Sequence, residues 1–177
     1  MKILTGVCVV KTNAIVIADA GPLIHLDELD SLEILSDFGE IIVPDAVWRE
    51  VEYHRPQAMQ NKEVTLIHKD VINFSPQAYA LTPLYTLHLG EQEALHLCLE
   101  YRNSLLLTDD TAARLAAKNI GVAAHGTLGV LVRAIRQKSR SKSEILALLR
   151  AIPAKTTLHI RASLLEEVIK DVELNAN

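Results

Sequence analysis

The sequence predicts an α/β fold, a three-layer α/β/α sandwich around a central parallel sheet, and three observations predict it. Short apolar runs alternate along the chain with stretches of helical spacing. Those runs are too short and too continuously apolar to keep a wet face, the pattern of a parallel sheet covered on both sides. Apolar residues make up 49% of the 177 residues and aromatics only 4%, so the core must be built from Leu, Ile, Val and Ala. A chain of this length has the size of one ordinary domain, and residues 1–177 are read as a single unit that buries a core without staples.

Taken in order, Ile15 to Ala18 is a buried strand that stops at Asp19, with Gly21-Pro22 following as breakers of regular structure. Asp27 to Phe38 carries Leu29, Leu32, Ile34 and Leu35 at roughly helical spacing and is closed by Gly39. Ile41 to Val43 is the next strand; Pro44 then takes the first helical position, and Val47 with Val51 marks the buried stripe. From His54 to Pro83 the chain reads as irregular or partly helical, because Pro56, Pro76 and Pro83 interrupt it; a weak strand signal lies at Val64 to Ile67. Order returns with a helix from Gly90 to about Tyr101, a strand Leu105 to Leu107, a helix Thr111 to Lys118 and a short strand Gly121 to Ala124. Three further helices follow: Thr127 to Ile135, Ser141 to Ile152 stopped by Pro153, and Ala162 to Val172.

Composition narrows the function. No run of about eighteen uncharged apolar residues exists, which argues against a membrane span. Met1 to Val10 is apolar after a single Lys2, but Lys11 and Asn13 interrupt it, so a secretory leader is not expected. Cys8 and Cys98 are too few and too far apart for a disulfide framework or a zinc site, and a reducing cytoplasm is the expected compartment. The net charge of −4 argues against holding nucleic acid by bulk charge alone. Even so, Arg133, Arg136, Lys138, Arg140, Lys142, Arg150, Lys155 and Arg161 face the single acid Glu144 in one stretch; we read them as solvated helix faces rather than a phosphate track, since no aromatics are interleaved. The slightly positive mean hydropathy implies apolar surface covered by a partner or a second copy, hence an expected homodimer.

Parallel strands joined by right-handed crossovers end on one rim of the sheet, where ligands of such folds bind. Asp19 and the pair Asp109-Asp110 each follow a strand. The helix before the second of these strands runs against it, so Glu91 and Glu93 in its first turn return to the same rim. Glu50 lies six residues after Pro44, about 9 Å down its helix axis at roughly 1.5 Å per residue, and geometry alone leaves it out. Each acid also has a plain explanation as a helix cap or a complement to a helix dipole. Together, though, clustered carboxylates repel one another unless a cation neutralises them. Oxygen ligands without Cys or His select Mg²⁺ or Mn²⁺, ions suited to phosphoryl chemistry with no nucleophilic side chain required. His25, His54, His68, His88, His96, His125 and His159 are scattered and show no ligand spacing.

Several runs resemble the PIN-domain family. Ile17-Ala18-Asp19-Ala20-Gly21-Pro22-Leu23-Ile24 looks like its opening, and Ile42-Val43-Pro44-Asp45-Ala46-Val47-Trp48-Arg49-Glu50-Val51 like its second acidic segment. Gly90-Glu91-Gln92-Glu93-Ala94-Leu95 and Leu106-Leu107-Thr108-Asp109-Asp110 match the third and fourth. His125-Gly126-Thr127-Leu128-Gly129-Val130 is similar to a tail motif of a prokaryotic subfamily related to VapC-type toxins. The resemblance spans about 15–135 as a PIN-like core and leaves about 141–174 as a C-terminal helical extension. It implies that Asp19, Glu50, Glu93 and Asp110 are the catalytic carboxylates around one or two Mg²⁺ or Mn²⁺ ions, with Asp19, Glu93 and Asp110 as metal ligands and Asp109 assisting. Glu50 enters on resemblance alone. Gly21 departs from the family, where a small hydroxyl or amide residue is frequent; Thr108 or Thr127 supplies the missing hydrogen bond or, as we favour, caps a helix.

The resemblance implies hydrolysis of RNA to a 5′-phosphate and a 3′-hydroxyl by a toxin-like endoribonuclease, with an antitoxin protein whose Arg plugs the site. The alternative is a catalytically weak or inactive PIN-like binding or regulatory module, motivated by Gly21 and the acidic charge. A receiver-type phospho-acceptor also gathers acids at a sheet rim, but wants a Lys at a following strand end, and Gly121 to His125 offers none.

Overall fold

A computed structural model describes residues 14–175. Its sheet has five strands, β1 (Ile15–Ala18), β2 (Glu40–Pro44), β3 (Thr65–Lys69), β4 (Ser104–Leu107) and β5 (Ala123–His125), in the order β3-β2-β1-β4-β5. Every pairing is parallel. Side chains alternate across it as the two-residue period requires: Val16, Ala18, Ile41, Val43, Leu105 and Leu107 enter one buried cluster, while Ile17 and Leu106 enter the other. With the polar residues of the central strands confined to their first positions, Glu40 and Ser104, both faces must be covered, and helices cover them.

On the first face lie α1 (Ala20–Glu28), α2 (Asp45–His54), α3 (Pro56–Met59), α7 (Thr127–Gln137), α8 (Lys142–Lys155) and α9 (Ala162–Asn175), packed through residues such as Leu23, Val47, Leu131, Leu149 and Val172. On the second lie α4 (Pro76–Tyr85), α5 (Leu89–Glu100) and α6 (Thr111–Asn119), packed through Leu81, Leu95 and Ala116. The predicted three-layer sandwich is therefore the fold. Among the described residues, no helix is long and apolar enough to cross a membrane. Met1 to Val10 and Cys8 lie outside the described residues.

Local departures from the sequence reading have local causes. Gly21-Pro22 do not break the chain: α1 starts directly after Asp19, because a proline in the first turn removes only an N–H that has no helical acceptor. The expected helix from Asp27 to Phe38 is instead the end of α1, a left-handed turn at Asp30 (φ 52°) and a 3-10 segment Leu32–Phe38. Leu29, Leu32 and Leu35 recur every three residues, which suits the three-residue turn of that segment. Gly39 does end it, at φ 73°. Pro44 closes β2 rather than opening α2. The stretch read as irregular or partly helical contains β3 near its weak strand signal and α4, started by the Ser75 hydroxyl accepting from the Ala78 N–H at 3.1 Å, with Pro76 next to it and Pro83 near its end. Likewise α8 passes through Pro153 in its last turn instead of stopping before it.

Candidate metal centre

The register fixes what meets at the rim. Ala18 pairs with Leu107, Leu107 with His125 and Pro44 with Lys69, so the next residues, Asp19, Thr108, Gly126, Asp45 and Asp70, line the carboxyl edge of the sheet. The Asp19 N–H still donates to the Leu107 carbonyl at 2.8 Å, holding that residue in sheet register while α1 begins behind it. Its side chain is 8% exposed.

Thr108 organises the centre. Fully buried, its Oγ1 donates to Asp19 Oδ2 at 2.8 Å and accepts from the Asp110 N–H at 3.2 Å. One hydroxyl thus ties the end of β1 to the turn after β4. Asp110 caps α6 by accepting from the Ala113 N–H at 2.7 Å through Oδ1. The favoured reading of Thr108 and Thr127 as helix caps does not hold: Asp110 and Gly126 take the cap positions of α6 and α7, and the two hydroxyls donate to Asp19 and Asp109 instead. A methyl group on Gly21 would touch Asp109 at 3.4 Å.

Glu50 reaches the same place, although a count along its own helix had left it outside. A methyl group on Gly90 would lie 3.0 Å from Val47 and 3.8 Å from both Asp19 Oδ1 and Glu50 Oε2. The relevant neighbour of α2 is the first turn of α5, not the sheet, and the bare glycine lets the two helices close until Glu50 and Asp19 flank one point. Glu91 joins from that same turn of α5, where its Oε2 accepts from the His88 N–H at 2.7 Å.

The electrostatics identify the carboxylates that share a field. Burial pushes Asp19 up to about 6, against the lowering effect of Thr108 and the Ala20 N–H, and Glu50 and Asp110 add to the rise. Burial likewise pushes Glu91 up to about 7, with Asp110 and Asp19 contributing. Asp19, Glu50, Glu91 and Asp110 therefore share one electrostatic neighbourhood, although no three of them bring ligand atoms within 4.8 Å of one another.

Glu93 stands on the other side. Only 6% exposed, it accepts from the Ala46 N–H at 2.7 Å in the first turn of α2. Burial raises its pKa, and the neighbours that follow are Asp45, Arg49 and Asp70. Here the strand ends gather a group that sequence spacing did not reveal: Asp45, His68 and Asp70 bring ligand atoms within 4.8 Å of one another. His68 Nε2 lies 3.0 Å from Asp45 Oδ1 and 3.9 Å from Asp70 Oδ1, its ring packs against Trp48 at 4.9 Å, and Arg49 pairs with Asp45 at 2.7 Å. The histidine, scattered in sequence, is the second-to-last residue of β3, one residue past the end of the weak strand signal.

Asp109 faces away from Asp19. Its carboxylate meets His25 Nδ1 at 2.8 Å, the Thr127 N–H at 2.7 Å and the Thr127 hydroxyl at 2.6 Å. A methyl group on Gly126 would be 2.5 Å from Asp109 Oδ1, so only glycine admits this clamp between β4, α1 and α7.

A family model described as the PIN domain matches residues 15–174. The chain belongs to the PIN-domain family. No curated protein and no solved structure matches it. The PIN domain is a nuclease fold whose members are generally metal-dependent nucleases and typically use divalent ions. The match runs through α8 and α9, which bury Ile145, Leu149, Ile152, Leu165, Val168 and Val172 in the first core. The donors of Asp19, Glu50, Glu91 and Asp110 fit a hard divalent ion: all are oxygens, and two of these carboxyls are raised chiefly by burial, with neighbouring carboxylates adding to the rise.

Proposed function

We propose that this PIN domain is an endoribonuclease that hydrolyses RNA phosphodiester bonds with Mg²⁺ or Mn²⁺, as the toxin-like member of a toxin–antitoxin pair. The observation that supports it most is the meeting of Asp19, Glu50, Glu91 and Asp110 around one region of the rim. Asp19 and Asp110 would hold the cation, kept in register with each other by Thr108. Glu50 and Glu91 would offer it further oxygens. Glu93, which the family resemblance places among the ligands, acts through α2 in this reading: it fixes the first turn of the helix that carries Glu50. The bound ion supplies Lewis acidity toward phosphate and water and the positive charge that the carboxylates need. Water attacks the phosphorus in line, the bond to the 3′-oxygen breaks, and that oxygen takes up a proton, leaving a 5′-phosphate and a 3′-hydroxyl.

The same reading makes the protein a homodimer in a reducing cytoplasm, in keeping with its exposed Ile72, Tyr79 and Leu84, and gives it an antitoxin that presents an Arg to these acids. Sedimentation of the purified chain tests the dimer; co-purification with the product of an adjacent reading frame tests the antitoxin. The enzyme itself is tested by incubating the chain with an RNA panel and Mn²⁺. Cleavage should stop with a chelator and with Asp19→Asn, and a folded Asp19→Asn protein that cuts as before removes the mechanism.

A further inference from the structure

Most of the basic stretch from Arg133 to Arg161 is engaged within the fold. Arg140 pairs with Glu33, Arg150 with Glu173 at 2.6 Å and Lys155 with Asp30 at 3.4 Å, while Lys142 donates to the Glu173 carbonyl at 2.7 Å. Arg133 lies over the Phe38 ring at 4.1 Å and 3.9 Å from Asp37. Arg136 is exposed and forms no ion pair among the described residues, and Arg114, which lies outside that stretch, is in the same position.

These two arginines flank a buried histidine. His125 ends β5 with 7% exposure, and its Nε2 has no hydrogen-bond partner among the described residues. Its ring packs against Gly129, where a methyl group would lie 3.5 Å from the His125 Cβ and 3.6 Å from Nδ1. Gly129, Arg133 and Arg136 follow one another at helical spacing along one face of α7. Arg114 approaches from α6, with Nη1 3.0 Å from the position of a methyl group on Gly126, the residue after His125. Burial holds the imidazole below its usual value, and Arg114, Arg133 and Arg136 lower it further, which places all three guanidinium groups in its surroundings. A buried ring nitrogen without a partner is unfavourable, and of the three cations in its surroundings Arg114 and Arg136 form no ion pair among the described residues, which leaves room for an anion. With its proton on Nε2, the neutral ring holds a donor that nothing among the described residues uses.

We propose that Arg114, Arg136 and His125 form a subsite for one backbone phosphate of an RNA strand, resting on the nuclease reading above. Arg114 lies four residues beyond Asp110 on α6, about 6 Å along the helix at roughly 1.5 Å per residue. A strand with one phosphodiester at the carboxylates thus brings a neighbouring phosphate within reach of it. The subsite positions the strand and carries no base information.

The test is binding of a fluorescein-labelled single-stranded RNA to the full chain in chelator, as a function of salt, so that it does not depend on cleavage. Arg114→Gln/Arg136→Gln is expected to bind about tenfold more weakly at low salt, with the log–log salt slope shallower by about 1 to 1.5. Arg102→Gln/Lys118→Gln, the same charge change near the opposite edge of the sheet, should bind as the parent does. The single Arg114→Gln and Arg136→Gln variants should fall between. Equal weakening by both double variants, or no strand binding by the parent, overturns the proposal. Inorganic phosphate forms the second arm: it should displace the strand no better than chloride at equal ionic strength. Displacement far below that strength marks a free-anion site and overturns the assignment to RNA.

Discussion

The carboxyl rim carries acids on both sides of β1, and the two sides treat them differently. Toward β3, Asp45 is held by Arg49 and His68, and Glu93 by the first turn of α2. Toward β4, Asp19 and Glu91 lie in each other's field, and Asp19, Glu50 and Asp110 have no cationic side chain paired with them among the described residues. Residue type and position are alike in the two halves; the difference lies in whether the fold itself supplies the counter-charge. On the reading proposed above, the acid is structural where it does, and an ion offsets the electrostatic cost of folding where it does not.

The largest expected effect breaks or sharpens that contrast directly. Asp19→Asn should lower Mn²⁺-dependent RNA cleavage by more than about a hundredfold, and Asp45→Asn by less than about tenfold. Comparable losses in a cleavage time course would erase the distinction between the halves.

Thr108→Val comes next. It keeps the shape but strands Asp19 Oδ2 and the Asp110 N–H, so cleavage should fall about 10- to 100-fold and stability by about 1–3 kcal/mol. Thr108→Ser, which restores a hydroxyl, should recover most of both in parallel kinetic and thermal-melt measurements.

Acidity gives a third effect. Asp19 and Glu91 have folded values of about 6 and 7 against ordinary values of 3.8 and 4.5. A folded state that binds protons more tightly than the unfolded chain loses stability as pH rises. The contribution is fully present below about pH 4 and is lost through the interval up to about pH 7. In chelator, the melting temperature should fall by several degrees over that interval, and Mn²⁺ should restore it at pH 7.5 but not at pH 4.5. Asp19→Asn should flatten the decline; a slope the same as the parent's would mean that Asp19 is not the group responsible.

The smallest effect concerns Asp109, whose bonds lie within the fold. Thr127→Val removes one hydroxyl donor from it and should cost about 1 kcal/mol, read as a melting shift of a few degrees, with cleavage changed less than about threefold.

These contrasts also show which features a sequence can disclose. The strands around Asp19 and Asp110 were legible because unbroken apolar runs end at an acid, and the parallel sheet then forces both ends to one rim. Glu50 was illegible to geometry because its position depends on the Val47–Gly90 contact between helices distant in sequence. Glu91 and Glu93 share one helical turn, and spacing could not say that one would face Asp19 and the other cap α2. His68 was missed because β3 is an exposed edge strand with a faint pattern, so its end could not be located. The prolines that hid α4 and foreshortened α8 sit near helix ends. Pro76 lies in a first turn, where its missing N–H has no helical acceptor, and Pro83 and Pro153 lie in last turns, where each removes one helical N–H bond and the helix ends two residues later.

The most direct test is calorimetric titration of Mn²⁺ into the metal-free protein at pH 7.5, comparing the parent with Asp19→Asn and with Asp45→Asn. Binding should be lost in Asp19→Asn and kept in Asp45→Asn. Binding lost in Asp45→Asn and kept in Asp19→Asn would place the ion beside His68 and contradict the account.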